Sequence, residues 1–101
     1  MKNSTPCCYI IYSTKLNRFY TGSVHDNLEN RLQKHLNHSY GKVRFTSAAD
    51  DWQLFLKIEC ISFAHARRIE LHIKKMKSSR FIRNLKKYPE LIENLKNRFK
   101  N

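Results

Sequence analysis

The chain has 101 residues, with 20 Lys and Arg against 8 Asp and Glu and a formal charge of +12. That length fits one domain with a single modest core and excludes a catalytic domain joined to a separate targeting domain. No run approaches the ~20 apolar residues of a transmembrane helix and the N-terminus lacks a signal-peptide layout, so a cytoplasmic protein is expected. The charge is lopsided, since residues 65–101 hold twelve of the basic residues and three acidic ones. Such an excess calls for a polyanionic partner, with nucleic acid ahead of a membrane surface.

Residues 8–13 and 18–24 are runs rich in Tyr, Ile, Phe, Thr and Val, separated by Thr14-Lys15-Leu16-Asn17, which predicts an antiparallel hairpin carrying Tyr9 and Tyr20 on neighbouring strands. Asp26 or Asn27 is expected to cap a helix, with Asp26 and Glu29 spaced as a capping box. Leu28, Leu32 and Leu36 then face the sheet, and Arg31 and His35, four apart, form a second stripe beside them. Residues 39–51 read as a long loop carrying Lys42 and Arg44. Trp52 to Cys60 is expected to form a third, central strand, and Ser62-Phe63 to open a helix running to about Met76. Ser78-Ser79 interrupts it, a basic segment from Arg80 to Tyr88 follows, and Pro89 starts a last amphipathic helix with Leu91, Ile92, Leu95 and Phe99. The expected fold is α/β, a small three-stranded antiparallel sheet flanked by helices. It forms a single domain over 1–101, with a motif-bearing core at about 8–87 and a C-terminal helix at about 89–100.

Cys7, Cys8 and Cys60 form no paired framework, and adjacent cysteines rarely bond each other, so three reduced, buried strand thiols are expected. A zinc site built from them lacks any C-x-x-C spacing. Within the second helix Ala66, Ile69, Ile73 and Met76 form the apolar stripe, and Glu70 lies on or beside it. A carboxylate there costs several kcal/mol unless a cation or hydrogen bonds compensate it. The alternative is an ordinary surface pair with Lys74 at i+4. Tyr12, three after Tyr9, points to the opposite face and reads as packing. Gly22 suits a close approach or a turn near substrate. His65 and His72 read as surface residues.

The order Tyr9, Tyr20-x-Gly22, Arg31-x-x-x-His35, Glu70 resembles the GIY-YIG endonuclease family. Cys7-Cys8 stand where that family has Gly-Ile, Thr21 replaces the middle Ile of the second triplet, and the interval from Tyr20 to Arg31 is one residue longer. The resemblance implies a metal-dependent endonuclease that hydrolyses phosphodiester bonds in DNA, with RNA also open, in a repair or recombination type of role directed at structure or damage. It implies Glu70 as ligand of one Mg²⁺ or Mn²⁺, which keeps most of its waters and takes substrate oxygens. It also implies a tyrosine that helps deprotonate the attacking water, although a free phenol, pKa ≈ 10, is a poor base. Which of Tyr9 and Tyr20 does so stays open. The Arg31 guanidinium has the fork to meet two non-bridging phosphate oxygens, and His35 assists. Lys42, Arg44, Arg67, Lys74 and Lys77 offer phosphate contacts without base readout. Two other readings compete: a non-catalytic nucleic-acid-binding module of the same fold, and a basic protein-interaction or RNA-associated domain docking through its last helix.

Overall fold

The computed structural model describes residues 5–25, 28 and 51–100. Three strands, β1 (Cys7–Ser13), β2 (Arg18–Val24) and β3 (Gln53–Glu59), form one antiparallel sheet in the order β2-β1-β3. Among the described residues three helices follow β3, α1 (Phe63–Met76), α2 (Ser79–Lys87) and α3 (Pro89–Phe99). The α/β class and the three-stranded antiparallel sheet agree with the sequence reading. The basic segment after Ser78-Ser79 is itself a helix, α2. The expected capping residues Asp26, Asn27 and Glu29, the rest of the first predicted helix with Arg31, Leu32, His35 and Leu36, and the loop bearing Lys42 and Arg44 lie outside the described residues.

The central strand is β1, which corrects the expectation for 52–60. Cys7 through Ile11 is an unbroken apolar run, and all five residues are buried, as suits a strand covered on both faces. In β3 the polar residues Gln53, Lys57 and Glu59 are exposed, as suits an edge. The register slips between Ile10 and Ile11, which pair with Leu56 and Leu54, so Phe55 is the extra residue of a bulge. Its carbonyl accepts from Lys86 Nζ at 3.2 Å, and this blunts the edge there.

The β1–β2 turn closes with Asn17 N–H donating to the Thr14 carbonyl, and Asn17 adopts the left-handed conformation at φ 55 that Asn tolerates. Asp51 fastens this turn, accepting from Ser13 Oγ at 2.6 Å and from the Lys15 N–H at 2.9 Å. These hydrogen bonds, first the one from Ser13, hold the Asp51 carboxyl below its usual range.

Alternation sorts the sheet into two faces. Cys8, Ile10 and Ile58 pack under Ala66, Ile69, Ile73, Ile82, Leu85 and Leu95 of the helices. The other face carries Cys7, Tyr9, Ile11, Val24 and Trp52, with Leu16, Tyr20 and Leu28 against them. Leu28 thus meets the sheet as its stripe predicts. Met76, expected in the apolar stripe of α1, is 43% exposed, and the buried face of that helix is Ala66, Ile69, Glu70 and Ile73 with His65.

His65, expected at the surface, is buried. Its Nδ1 accepts from the Ile61 N–H at 3.2 Å and its Nε2 lies 2.9 Å from the Lys96 carbonyl, the arrangement in which Nε2 carries the N–H. The ring thereby ties the start of α1 to α3. His72 is also not a free surface group: it lies between the rings of Phe81 and Phe99, where burial, then the charges of Arg98 and Lys75, lower its pKa. Tyr12 does face the helix side, donating to Asn17 Oδ1 at 2.6 Å and packing on Phe19.

Candidate active site

Glu70 sits on the sheet-facing side of α1 and is 3% exposed. Ser62 starts this helix, its side chain accepting from the His65 N–H, and the apolar stripe then carries Glu70 inward over β2. Ser23 Oγ donates to Glu70 Oε1 at 2.6 Å and Arg67 Nη1 to the same oxygen at 2.9 Å. Lys74 Nζ meets Oε2 at 2.7 Å. Burial favours the neutral acid, but the hydrogen bonds from Lys74, Ser23 and Arg67 outweigh it and hold the carboxyl below its ordinary value. Glu70 is therefore an anion at neutral pH. Both sequence readings hold in part: the carboxylate is on the core face, and Lys74 at i+4 is its partner.

Tyr9 pairs with Gly22 across the β1–β2 ladder, and Ile11 with Tyr20. The two tyrosines are therefore diagonal neighbours on one face, the spacing at which aromatic side chains reach each other. Tyr9 is 1% exposed. Its ring lies across Gly22 so closely that a Cβ there would stand 2.5 Å from the phenol oxygen. The close approach that Gly22 permits is thus that of the first motif tyrosine, which locks the two triplets together.

Tyr20 and Glu70 belong to opposite faces, since Tyr20 aligns with Ile11 and Ser23 with Cys8. Because β2 is an edge, one side chain can reach both. Lys74 reaches round it, its Nζ on Glu70 and 5.6 Å from the centre of the Tyr20 ring. Lys77 caps the C-terminus of α1. Arg67 and Lys74, expected as phosphate contacts, are ion-paired to Glu70 in this structure, and each side chain remains about half exposed, 50% and 45%. Arg31, His35, Lys42 and Arg44 lie outside the described residues. Ser23 was not singled out from the sequence, although alternation along β2 from Tyr20 puts it on the helix face.

The cysteines are free and buried. Burial pushes the Cys7 thiol up to about 11 and raises Cys60, and burial with the nearby Glu70 charge raises Cys8 well above its usual value. All three are neutral thiols at pH 7, unsuited to nucleophilic or metal chemistry. Among the described residues no three His, Cys, Asp or Glu side chains stand together. Among the described residues Glu70 is the hard ligand a divalent ion would find here, and one carboxylate suits Mg²⁺ or Mn²⁺ completed by water and phosphate oxygens. An ionised carboxylate has about four acceptor positions, and partners among the described residues use three of them, two on Oε1 and one on Oε2. The donor set fits such an ion, in competition with Lys74.

A strand pair joined through Tyr9 and Gly22, with a buried anionic Glu70 at its edge, is the geometry that the chain's own side chains build. Residues 5–87 match the model of the GIY-YIG catalytic domain. The chain belongs to the GIY-YIG family, whose nucleases act on DNA and are generally dependent on divalent metal. No curated protein and no solved structure matches it closely enough to count as a relative. No described helix is long and apolar enough to cross a membrane.

Proposed function

We propose that this chain is a metal-dependent endonuclease that hydrolyses phosphodiester bonds in DNA, acting on a structural feature or a damaged site in repair or recombination. The observation that carries it is Glu70: a buried carboxylate kept ionised, anchored by Ser23 from the second motif strand, and joined to Tyr20 through Lys74. A purely structural role would be served at lower desolvation cost by an apolar residue.

In this reading Glu70 would hold the Mg²⁺ or Mn²⁺, which supplies charge neutralisation at the phosphate. Tyr20, half-buried at the sheet edge, relays the proton of the attacking water, its phenol oxygen accepting that proton as it passes its own on to solvent. Tyr9, enclosed against Gly22, positions the strand that carries it. Arg31 stabilises the charge on the non-bridging oxygens and His35 assists, both by their place in the motif. Arg67 and Lys74 keep Glu70 deprotonated and turn to phosphate when substrate arrives, with Lys42, Arg44 and Lys77 as further phosphate contacts.

The Lys74 contact also favours a second reading, a nucleic-acid-binding module without turnover, because an internal ammonium already neutralises the carboxylate that a metal would need. The two part in one experiment: cleavage of labelled single-stranded, duplex, flap and branched DNA with Mg²⁺, Mn²⁺ or EDTA, wild type beside Glu70→Ala, Tyr20→Phe and Tyr9→Phe. Metal-dependent cutting lost in Glu70→Ala and Tyr20→Phe supports the nuclease. Salt-sensitive binding with no cutting on any substrate supports the module. Cutting lost in Tyr9→Phe and retained in Tyr20→Phe exchanges the roles of the tyrosines.

A further inference from the structure

A cavity of about 440 Å³ opens where the β2 edge meets the α1–α2 junction, and its wall includes Arg18, Tyr20, Lys74, Lys77, Ser78 and Ser79. Arg18, Lys74 and Lys77 bring three positive charges to it, the other three bring hydroxyls, and no carboxylate lines it among the described residues. Lys74 is engaged by Glu70 at the rim. Arg18 and Lys77 are exposed and enter no ion pair among the described residues. Like charges gathered round one opening repel each other unless an anion or counterions screen them.

The chain at this point is shaped to bring charge in. Lys77 closes α1 in the left-handed conformation, φ 48 and ψ 43, its N–H on the Lys74 carbonyl, at a position where glycine is the usual residue. Ser78 then caps the nine-residue α2, whose N-terminal end contributes a partial positive charge on the same side. The volume suits a nucleotide unit better than a bare ion. Lys74 and Tyr20 belong both to this cavity and to the candidate active site, so the two are continuous.

We propose that the cavity seats a phosphate of the nucleic-acid strand beside the scissile one, with Arg18 forking onto its oxygens and Lys77 acting as a point charge. A strand held there passes round the β2 edge with Tyr20 between the seated phosphate and the reacting one. The inference rests on the reading of this site as one that takes DNA. It adds Arg18, a residue that no motif marks, to the substrate contacts.

The test is anisotropy of labelled single-stranded and flap DNA in EDTA, with internal phosphates replaced singly by neutral methylphosphonate and the 5′ end either phosphate or hydroxyl. Wild type is compared with Arg18→Gln, Lys77→Asn and the double variant; both sites are exposed, and Asn tolerates the left-handed turn. In the wild type one replacement weakens binding about tenfold. In the double variant that replacement costs nothing, and the salt slope falls by about two. Coupling to an internal position assigns the seat to a diester, and coupling to the 5′ phosphate assigns it to a terminal monoester. Equal penalties in wild type and double variant at every position overturn the proposal. Parallel cleavage assays with metal separate the two ideas: coupling without cutting leaves the seat and removes the nuclease, whereas cutting without coupling does the reverse. No DNA binding by the wild type removes both.

Discussion

Five residues apart on α1, His65 and Glu70 are both polar and almost fully buried, at 1% and 3% exposure, yet they are satisfied in different ways. His65 is held by main chain, the Ile61 N–H and the Lys96 carbonyl. Glu70 is held by three side chains, two of them half-exposed cations. Main-chain partners move only if the fold moves, whereas a lysine and an arginine at the surface can turn away toward a ligand. His65 is therefore a structural joint of α1, and Glu70 with Arg67 and Lys74 an ionic cluster open to solvent on its cationic side.

Glu70→Ala should divide the two sites most sharply. Cleavage is expected to fall by at least about 10³-fold in single-turnover rate, while the far-UV spectrum stays native, because Arg67 and Lys74 simply return to solvent. A variant that unfolds instead would make Glu70 another structural joint. His65→Ala is expected to cost about 2–4 kcal/mol by urea titration, since a main-chain donor and acceptor lose their partner and a void opens. Below its melting temperature it should cut within about twofold of wild type, and a specific loss of turnover in folded protein would contradict the assignment.

Gly22→Ala tests the link between the motif triplets. The new methyl meets the Tyr9 ring, which is enclosed and has little room to yield, so a loss of about 1–3 kcal/mol in denaturation midpoint is expected; an unchanged midpoint would show that the ring is free to move. The smallest effect is on pH. Because the folded Glu70 carboxyl is held below its ordinary value, its stabilising contribution is complete above the unfolded pKa of about 4.3. It disappears as pH falls through the lower, folded value. Stability curves of wild type and Glu70→Gln should converge on acidification below that range, and curves that stay parallel would remove the linkage.

Much of the fold is legible along the chain because it rests on local period and punctuation. The hairpin follows from two β-rich runs round Thr14–Asn17, α1 from a serine cap and an apolar stripe, and α3 from Pro89. Trp52 to Cys60 reads as a central strand because six of its nine residues are apolar, but Gln53, Lys57 and Glu59 interrupt it, whereas the unbroken run of Cys7 to Ile11 is the stronger sign of burial on both faces. His65 was misjudged because helical spacing places a side chain on a face without saying which main-chain groups wait there.

By itself the sequence determined the family's order of motifs, Tyr9, Tyr20-x-Gly22 and Glu70, the basic character of the C-terminal third, and the helix and strand periods, all of which are one-dimensional properties. Only the tertiary structure decided that Tyr9 rests on Gly22, that Ser23 and two cations keep Glu70 ionised, and that Lys74 joins it to Tyr20 round the edge of β2. Those relations depend on strand register and on which strand is left at the edge. Both are set by long-range packing, which pairs residues 47 positions apart, as in Ser23 and Glu70, and no local pattern records such a pairing.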